Sequence, residues 1–133
     1  MKTKTKQLLL AITMMAGVFF VITAFTNKPE TKKTYYAFVT AIELDKSSDT
    51  NVFLTTNIVS FDCERTTNEL RHQFLQHYWA EEENSSRTIK SDFTSSYIYD
   101  SYDQAMEARR ENLANSKSLY KLFRNTSFYV SCK

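Results

Sequence analysis

Glycine is almost absent from this chain of 133 residues, because Gly17 is the only one. Phosphate-binding loops, dinucleotide-binding turns, the turn beneath an esterase nucleophile and EF-hand loops all require glycine, since a side chain would block the backbone there. The sequence after Gly17 therefore excludes these sites. Any left-handed turn conformation in that part has to be supplied by Asn or Asp.

The N-terminus has the pattern of an export signal. Lys2, Lys4 and Lys6 precede residues 8–25, which carry no charge. Positive charge keeps the N-terminus in the cytoplasm while the apolar segment enters the membrane. The apolar segment is longer than the core of most signal peptides, about 7–15 residues, and shorter than the roughly 20 residues of a spanning helix. We predict a signal peptide, with an uncleaved membrane anchor as the alternative.

The predicted organisation is a signal or anchor over residues 1–25, a tether over 26–33 and one exported α+β domain over 34–133. The domain is expected in the periplasm or outside the cell, with membrane contact only through the first segment if it is uncleaved. Removing the three leader lysines from 17 basic residues leaves 14 against 15 acidic ones. Because a nucleic-acid-binding domain carries a concentrated basic face, no nucleic-acid partner is expected.

The pattern after the tether predicts the order β-β-α-β-α-β. Strands are expected over residues 34–44, 52–61, 87–99 and 127–132, because β-forming residues or period-two alternation dominate there. Capping boxes predict the two helix starts, at Thr66 with Glu69 and at Ser101 with Gln104. The economical packing is a mostly antiparallel sheet of about four strands with both helices on one face.

Cys63 and Cys132 are the only cysteines. In an oxidising compartment an isolated pair favours a structural disulfide, with two free thiols as the alternative. Cys63 precedes a helix that carries both histidines, His72 and His77, so a small cysteine-dependent hydrolase is a second hypothesis. The two histidines point about 140° apart on a straight helix, so they cannot share a metal ion and no metal site is expected. No other cofactor is expected either, since glycine loops that would bind a nucleotide are absent.

Two arginines and several tyrosines are candidate binding residues. Arg109 interrupts the apolar stripe of the second helix, and Arg71 has a similar but weaker position in the first helix. Each could bind a carboxylate or phosphate, because a guanidinium fits planar oxyanions, or could cover the edge of the core with its stem. Tyr97 and Tyr99 could form an aromatic platform for sugar or peptide, or could belong to the core and sheet surface.

No motif of a named family is present. The sequence favours a non-enzymatic extracytoplasmic module that binds a protein or an envelope polymer through a sheet face or an exposed edge. The alternatives are the cysteine-dependent hydrolase and a secreted or periplasmic inhibitor. The favoured hypothesis depends on the absence of glycine loops, of metal-ligand spacing and of a nucleophile motif.

Overall fold

Five strands and two helices follow one another in the computed structural model, which describes residues 31–81 and 85–133. The elements are β1 (Tyr35–Asp45), β2 (Thr50–Thr56), β3 (Val59–Phe61), α1 (Thr67–Ala80), β4 (Arg87–Tyr99), α2 (Tyr102–Ser116) and β5 (Leu122–Thr126). Lys33–Lys133 forms one compact unit. The α+β class is confirmed, whereas the predicted signal segment and most of the tether lie outside the described residues.

Strand β1 is the centre of the sheet. Along one edge it pairs antiparallel with β4, and along the other edge it pairs antiparallel with β2 and then β3. Strand β5 pairs parallel with β2. The sheet is therefore mostly antiparallel, as predicted. It has five strands because the second predicted strand is interrupted at Asn57 and Ile58.

The two helices contact opposite faces of the sheet. Tyr78 of α1 donates a hydrogen bond to Glu43, an odd-numbered residue of β1. Tyr102 of α2 packs edge-on against Tyr36, an even-numbered residue of the same strand. Successive side chains of a strand point to opposite faces, so the prediction that both helices share one face is wrong. The physical reason is that β1 is apolar on both faces and each face needs cover.

The main core lies between the sheet and α1. Leu70, Phe74 and Tyr78 recur at helical spacing and are fully buried. They pack on the odd-numbered residues of β1, on Leu54 of β2 and on Phe128 near the C-terminus. The helix begins as predicted, because Thr66 and Glu69 form a complete capping box. At α2 the Ser101 hydroxyl accepts the backbone N–H of Gln104, which is the N-cap bond expected there.

The last strand is not where the sequence placed it. It covers Leu122–Thr126, and the predicted strand over residues 127–132 is irregular. Side-chain amides take the place of a neighbouring strand: Asn57 exchanges two hydrogen bonds with the backbone of Phe128, and Gln73 exchanges two with the backbone of Ser131. These bonds hold the C-terminal segment against α1 and the end of β2, and they satisfy the backbone of Phe128 and Ser131 without a strand pair.

Strand β4 contains an irregularity that shapes its outer edge. Thr40 of β1 pairs with Ser95 of β4, but Ile42 pairs with Lys90, so four residues of β4 lie opposite Ala41 alone. Residues 91–94 form a bulge that leaves Phe93 exposed. The regular outer edge after the bulge is therefore restricted to residues 95–99.

Candidate functional site

Cys63 and Cys132 form the predicted disulfide, with Cα atoms 5.7 Å apart. The bond joins the loop after β3 to the C-terminal segment, so those two parts of the chain lie close together. Cys63 therefore has no thiol to act as a nucleophile. The cysteine-dependent hydrolase is contradicted by this bond, and the described residues contain no free cysteine.

The two histidines of α1 have separate surroundings. His72 is exposed and lies 3.2 Å from the side-chain nitrogen of Gln76. The Nε2 atom of His77 lies 3.1 Å from the carbonyl oxygen of Ser127 and 3.9 Å from a carboxylate oxygen of Glu81. Among the described residues there is no group of three His, Cys, Asp or Glu that could hold a metal ion.

Arg109 connects α2 to the sheet. Its Nε donates to the carbonyl oxygen of Thr56 at 2.8 Å, and its Nη2 donates to Oδ1 of Asn125 at 3.0 Å. Thr56 ends β2 and Asn125 lies on β5, so the guanidinium joins the ends of two parallel strands. The carbonyl oxygen of Thr56 and the amide oxygen of Asn125 are uncharged, and they occupy Nε and Nη2 of the guanidinium. Binding of an anion by Arg109 stays a prediction.

Tyr97 and Tyr99 lie on the α2 face of the sheet. Both rings stack on Phe38, with ring centroids 4.8 Å and 6.2 Å away. The Tyr97 hydroxyl donates to Oδ1 of Asn112, and burial raises the pKa of Tyr99. The rings are half-buried between β1 and α2, so they contribute to packing. Their use as a binding platform stays a prediction.

A buried carboxylate network lies at the opposite end of β1 and was missed by the sequence analysis. Glu43 is fully buried, accepts a hydrogen bond from the Tyr78 hydroxyl at 2.7 Å and contacts the guanidinium of Arg124. Arg87 lies 3.6 Å from its other oxygen. Burial, followed by the hydrogen bond to the carboxylate, raises the pKa of Tyr78. One feature of the sequence could have indicated that Glu43 is buried: it follows Ala37, Val39 and Ala41 at every second position of β1, on the face that these apolar residues bury.

A groove between α1 and the edge of β4 brings together two of the predicted site residues, Arg71 and Tyr97. Its volume is about 320 Å³. The lining residues are polar, and they are Thr67, Asn68 and Arg71 from α1 with Thr94, Ser95, Ser96 and Tyr97 from β4. Ser96 joins the two sides of the groove, because its hydroxyl donates to the carbonyl oxygen of Thr67 at 2.5 Å.

The β4 side of this groove is an edge of the sheet. Within residues 31–81 and 85–133, β4 pairs only with β1, so the backbone groups on its other side have no strand partner. Arg71 also lines a second cleft of about 520 Å³, between α1 and the C-terminal Lys133. Among the described residues that line the β4 groove, it is the only charged one.

The arginines differ in how their guanidinium groups are used. Five of them contact a carboxylate, a backbone carbonyl or an amide oxygen, namely Arg65, Arg87, Arg109, Arg110 and Arg124. Arg71 is exposed and has no hydrogen bond or ion pair with any residue that the structure describes. One turn away along the helix it has Thr67, Asn68, Phe74 and Leu75, none of which is acidic.

No family model, curated protein or solved structure matches the chain. Within the described residues, no helix has the length and apolar character needed to cross a membrane. The groove beside β4 is therefore identified as the candidate site from its geometry and lining residues alone.

Proposed function

We propose that this protein is an exported, non-enzymatic binding module that recognises another polypeptide at the outer edge of β4. The observation that carries the proposal is an unpaired strand edge with a polar groove between it and α1. An extended peptide can add to such an edge as a further strand, because its backbone supplies the missing hydrogen-bond partners.

The bulge in β4 favours a short peptide segment over a second copy of the chain. Residues 91–94 interrupt the edge, so two long β4 strands could not pair along their whole length. Bulges of this kind are a common way of preventing edge-to-edge association. The regular segment over residues 95–99 is long enough for a peptide strand of about five residues.

Helix α1 adds side-chain contacts to the same surface. Arg71, Leu75 and Trp79 follow one another at intervals of four residues and spread over about 80° of one flank. Trp79 is the only tryptophan of the chain and is 53% exposed. Arginine and tryptophan are enriched at the residues that dominate binding energy in protein interfaces. A peptide strand on the edge of β4 would lie beside this flank.

Export is supported by two features. The disulfide is typical of proteins that fold in an oxidising compartment. The charged and apolar pattern of residues 1–25 is that of an export signal. A binding module that works outside the cytoplasm is consistent with both.

The test is a selection of random heptapeptides on the full, oxidised chain, followed by hydrogen exchange of the complex with the best peptide. We expect slower exchange of the backbone amides over residues 95–99. Asn68→Phe fills the groove from α1 and should weaken binding, whereas Asn115→Phe, at an exposed position of α2, should not. Protection confined to another part of the chain, or no enriched peptide, would contradict the proposal.

A further inference from the structure

The free guanidinium of Arg71 indicates the chemistry of the partner. An acidic residue one turn away along a helix can pair with an arginine, and Arg71 has none. Each of the other arginines is engaged within the domain, as described above. Arg71 is therefore the one arginine in the described part of the chain whose guanidinium has no partner within the domain, so all of its donors are available to a ligand.

Arg71 lies beside the strand edge, across the groove from β4. Thr67, one turn before it on the same flank, contacts Ser96 through its carbonyl oxygen. Arg71 itself lines the groove together with Ser95 and Ser96. In a strand added to β4, alternate side chains point towards the α1 face of the sheet. One of them, or the end of the peptide, would reach the guanidinium.

We infer that the polypeptide bound at the edge of β4 carries a carboxylate that pairs with Arg71. This inference rests on the proposed function. Carboxylate is the anionic group that an unmodified polypeptide carries, and it accepts two parallel N–H bonds from a guanidinium. The described residues that line the groove include no acidic side chain to compete for these bonds. The carboxylate belongs to an Asp or Glu side chain or to the C-terminus of the partner, since the two present the same group.

The probe is the best heptapeptide from the selection described above, labelled with a fluorophore, and its binding to the full oxidised chain is followed by anisotropy. Four versions are compared: the parent peptide, the peptide with each acidic residue replaced by its amide, the peptide with an amidated C-terminus, and the peptide with both changes. We expect one of the two carboxylate sources to account for a roughly three- to tenfold loss of affinity, the range for a partly exposed ion pair with two hydrogen bonds.

The protein variants assign that loss to Arg71. Arg71→Gln should lower the affinity for the parent peptide by the same factor as removal of the peptide carboxylate. In this variant, removal of the carboxylate should have no further effect on affinity. Arg71→Lys should recover part of the affinity, because it keeps the charge but not the planar fork. Arg110→Gln is the matched control, since Arg110 is an exposed helical arginine on α2.

The outcomes separate the two claims. If a peptide protects residues 95–99 but binds Arg71→Gln as tightly as the native protein, the carboxylate inference is wrong and the edge site stands. If no peptide protects these residues, both are wrong. If the loss is the same for Arg110→Gln, the attraction is a general effect of charge and the assignment to Arg71 fails.

Discussion

Glu43→Gln tests whether the buried network needs a negative charge or only a polar side chain of this shape. The carboxylate is 1% exposed and faces two guanidinium groups and a tyrosine hydroxyl. The substitution keeps the size of the side chain. It replaces one carboxylate oxygen by an NH₂ group, which cannot accept a hydrogen bond from a guanidinium. Arg87 and Arg124 also lose the negative charge buried between them.

The expected loss is about 3 kcal/mol in the free energy of unfolding. Removing one partner of a buried ion pair costs about 3–5 kcal/mol. The lower end applies here because the side chains of Arg87 and Arg124 are 28% and 20% exposed, so water recovers part of their solvation. For a domain of this size, about 4–8 °C per kcal/mol converts the loss into a fall in Tm of roughly 12–24 °C.

The assay is urea unfolding of the oxidised protein at pH 7, followed by circular dichroism. Glu107→Gln is the matched control: Glu107 also pairs with an arginine, Arg110, at 2.7 Å, but both side chains are more than half exposed. The control should change stability by less than about 0.5 kcal/mol. A loss below about 1 kcal/mol for Glu43→Gln would refute the reasoning, because it would mean that the two arginines do not depend on the charge of Glu43.

Three further predictions concern pH, the disulfide and the C-terminal segment. Because folding raises the pKa of Tyr78, this residue stabilises the folded state fully below about pH 10, and that stabilisation is lost as the pH rises further. In Tyr78→Phe, the free energy of unfolding should therefore fall less steeply above about pH 10, by up to about 1.4 kcal/mol per pH unit. Reduction of the disulfide, whose cysteines are 69 residues apart, should cost roughly 4 kcal/mol in urea unfolding, and a cost below about 1 kcal/mol would contradict the loop-closure argument. Asn57→Ala leaves the backbone N–H and C=O of Phe128 without their partner and should lower the free energy of unfolding by about 2 kcal/mol. Backbone amides over residues 127–131 should also exchange faster, and unchanged exchange there would show that other contacts hold the segment.

Local signals in the sequence were sufficient for several elements. The alternation after the tether predicted β1, and the spacing of Thr66 and Glu69 predicted the start of α1. These features depend on residues within one turn or one strand of each other. The disulfide could be predicted because only one pairing of two cysteines exists.

The arrangement of the helices required information that the sequence expresses indirectly. Phe38 and Val39 are both fully buried although they point to opposite faces of β1. A strand with large apolar side chains on both faces needs a covering layer on each side. The alternation in the sequence predicts that both faces of β1 are at least partly covered, but the predicted packing places both helices on one face. The alternation of buried residues along β1 predicts the placement of the helices on the sheet better than the order of the elements does.

The C-terminal segment shows why a β-like composition does not determine a strand. Residues 127–132 are rich in β-forming residues, yet the partners of their backbone are the side chains of Asn57 and Gln73. Those side chains lie 71 and 58 residues away in sequence. No local pattern announces such a bond, because it depends on where β2 and α1 place two amides in the folded chain.

The two candidate arginines illustrate the same limit for functional residues. Arg109 was a candidate because it interrupts an apolar stripe of α2. Since that stripe faces the sheet, the guanidinium finds hydrogen-bond acceptors there, on Thr56 and Asn125. Arg71 lies beside the buried stripe of α1, and the described residues that line the β4 groove with it include no carboxylate. A guanidinium is available to a ligand when the domain leaves it without acceptors, and that depends on the surrounding surface more than on its place in a helical pattern. The groove beside β4 is where this chain meets that condition.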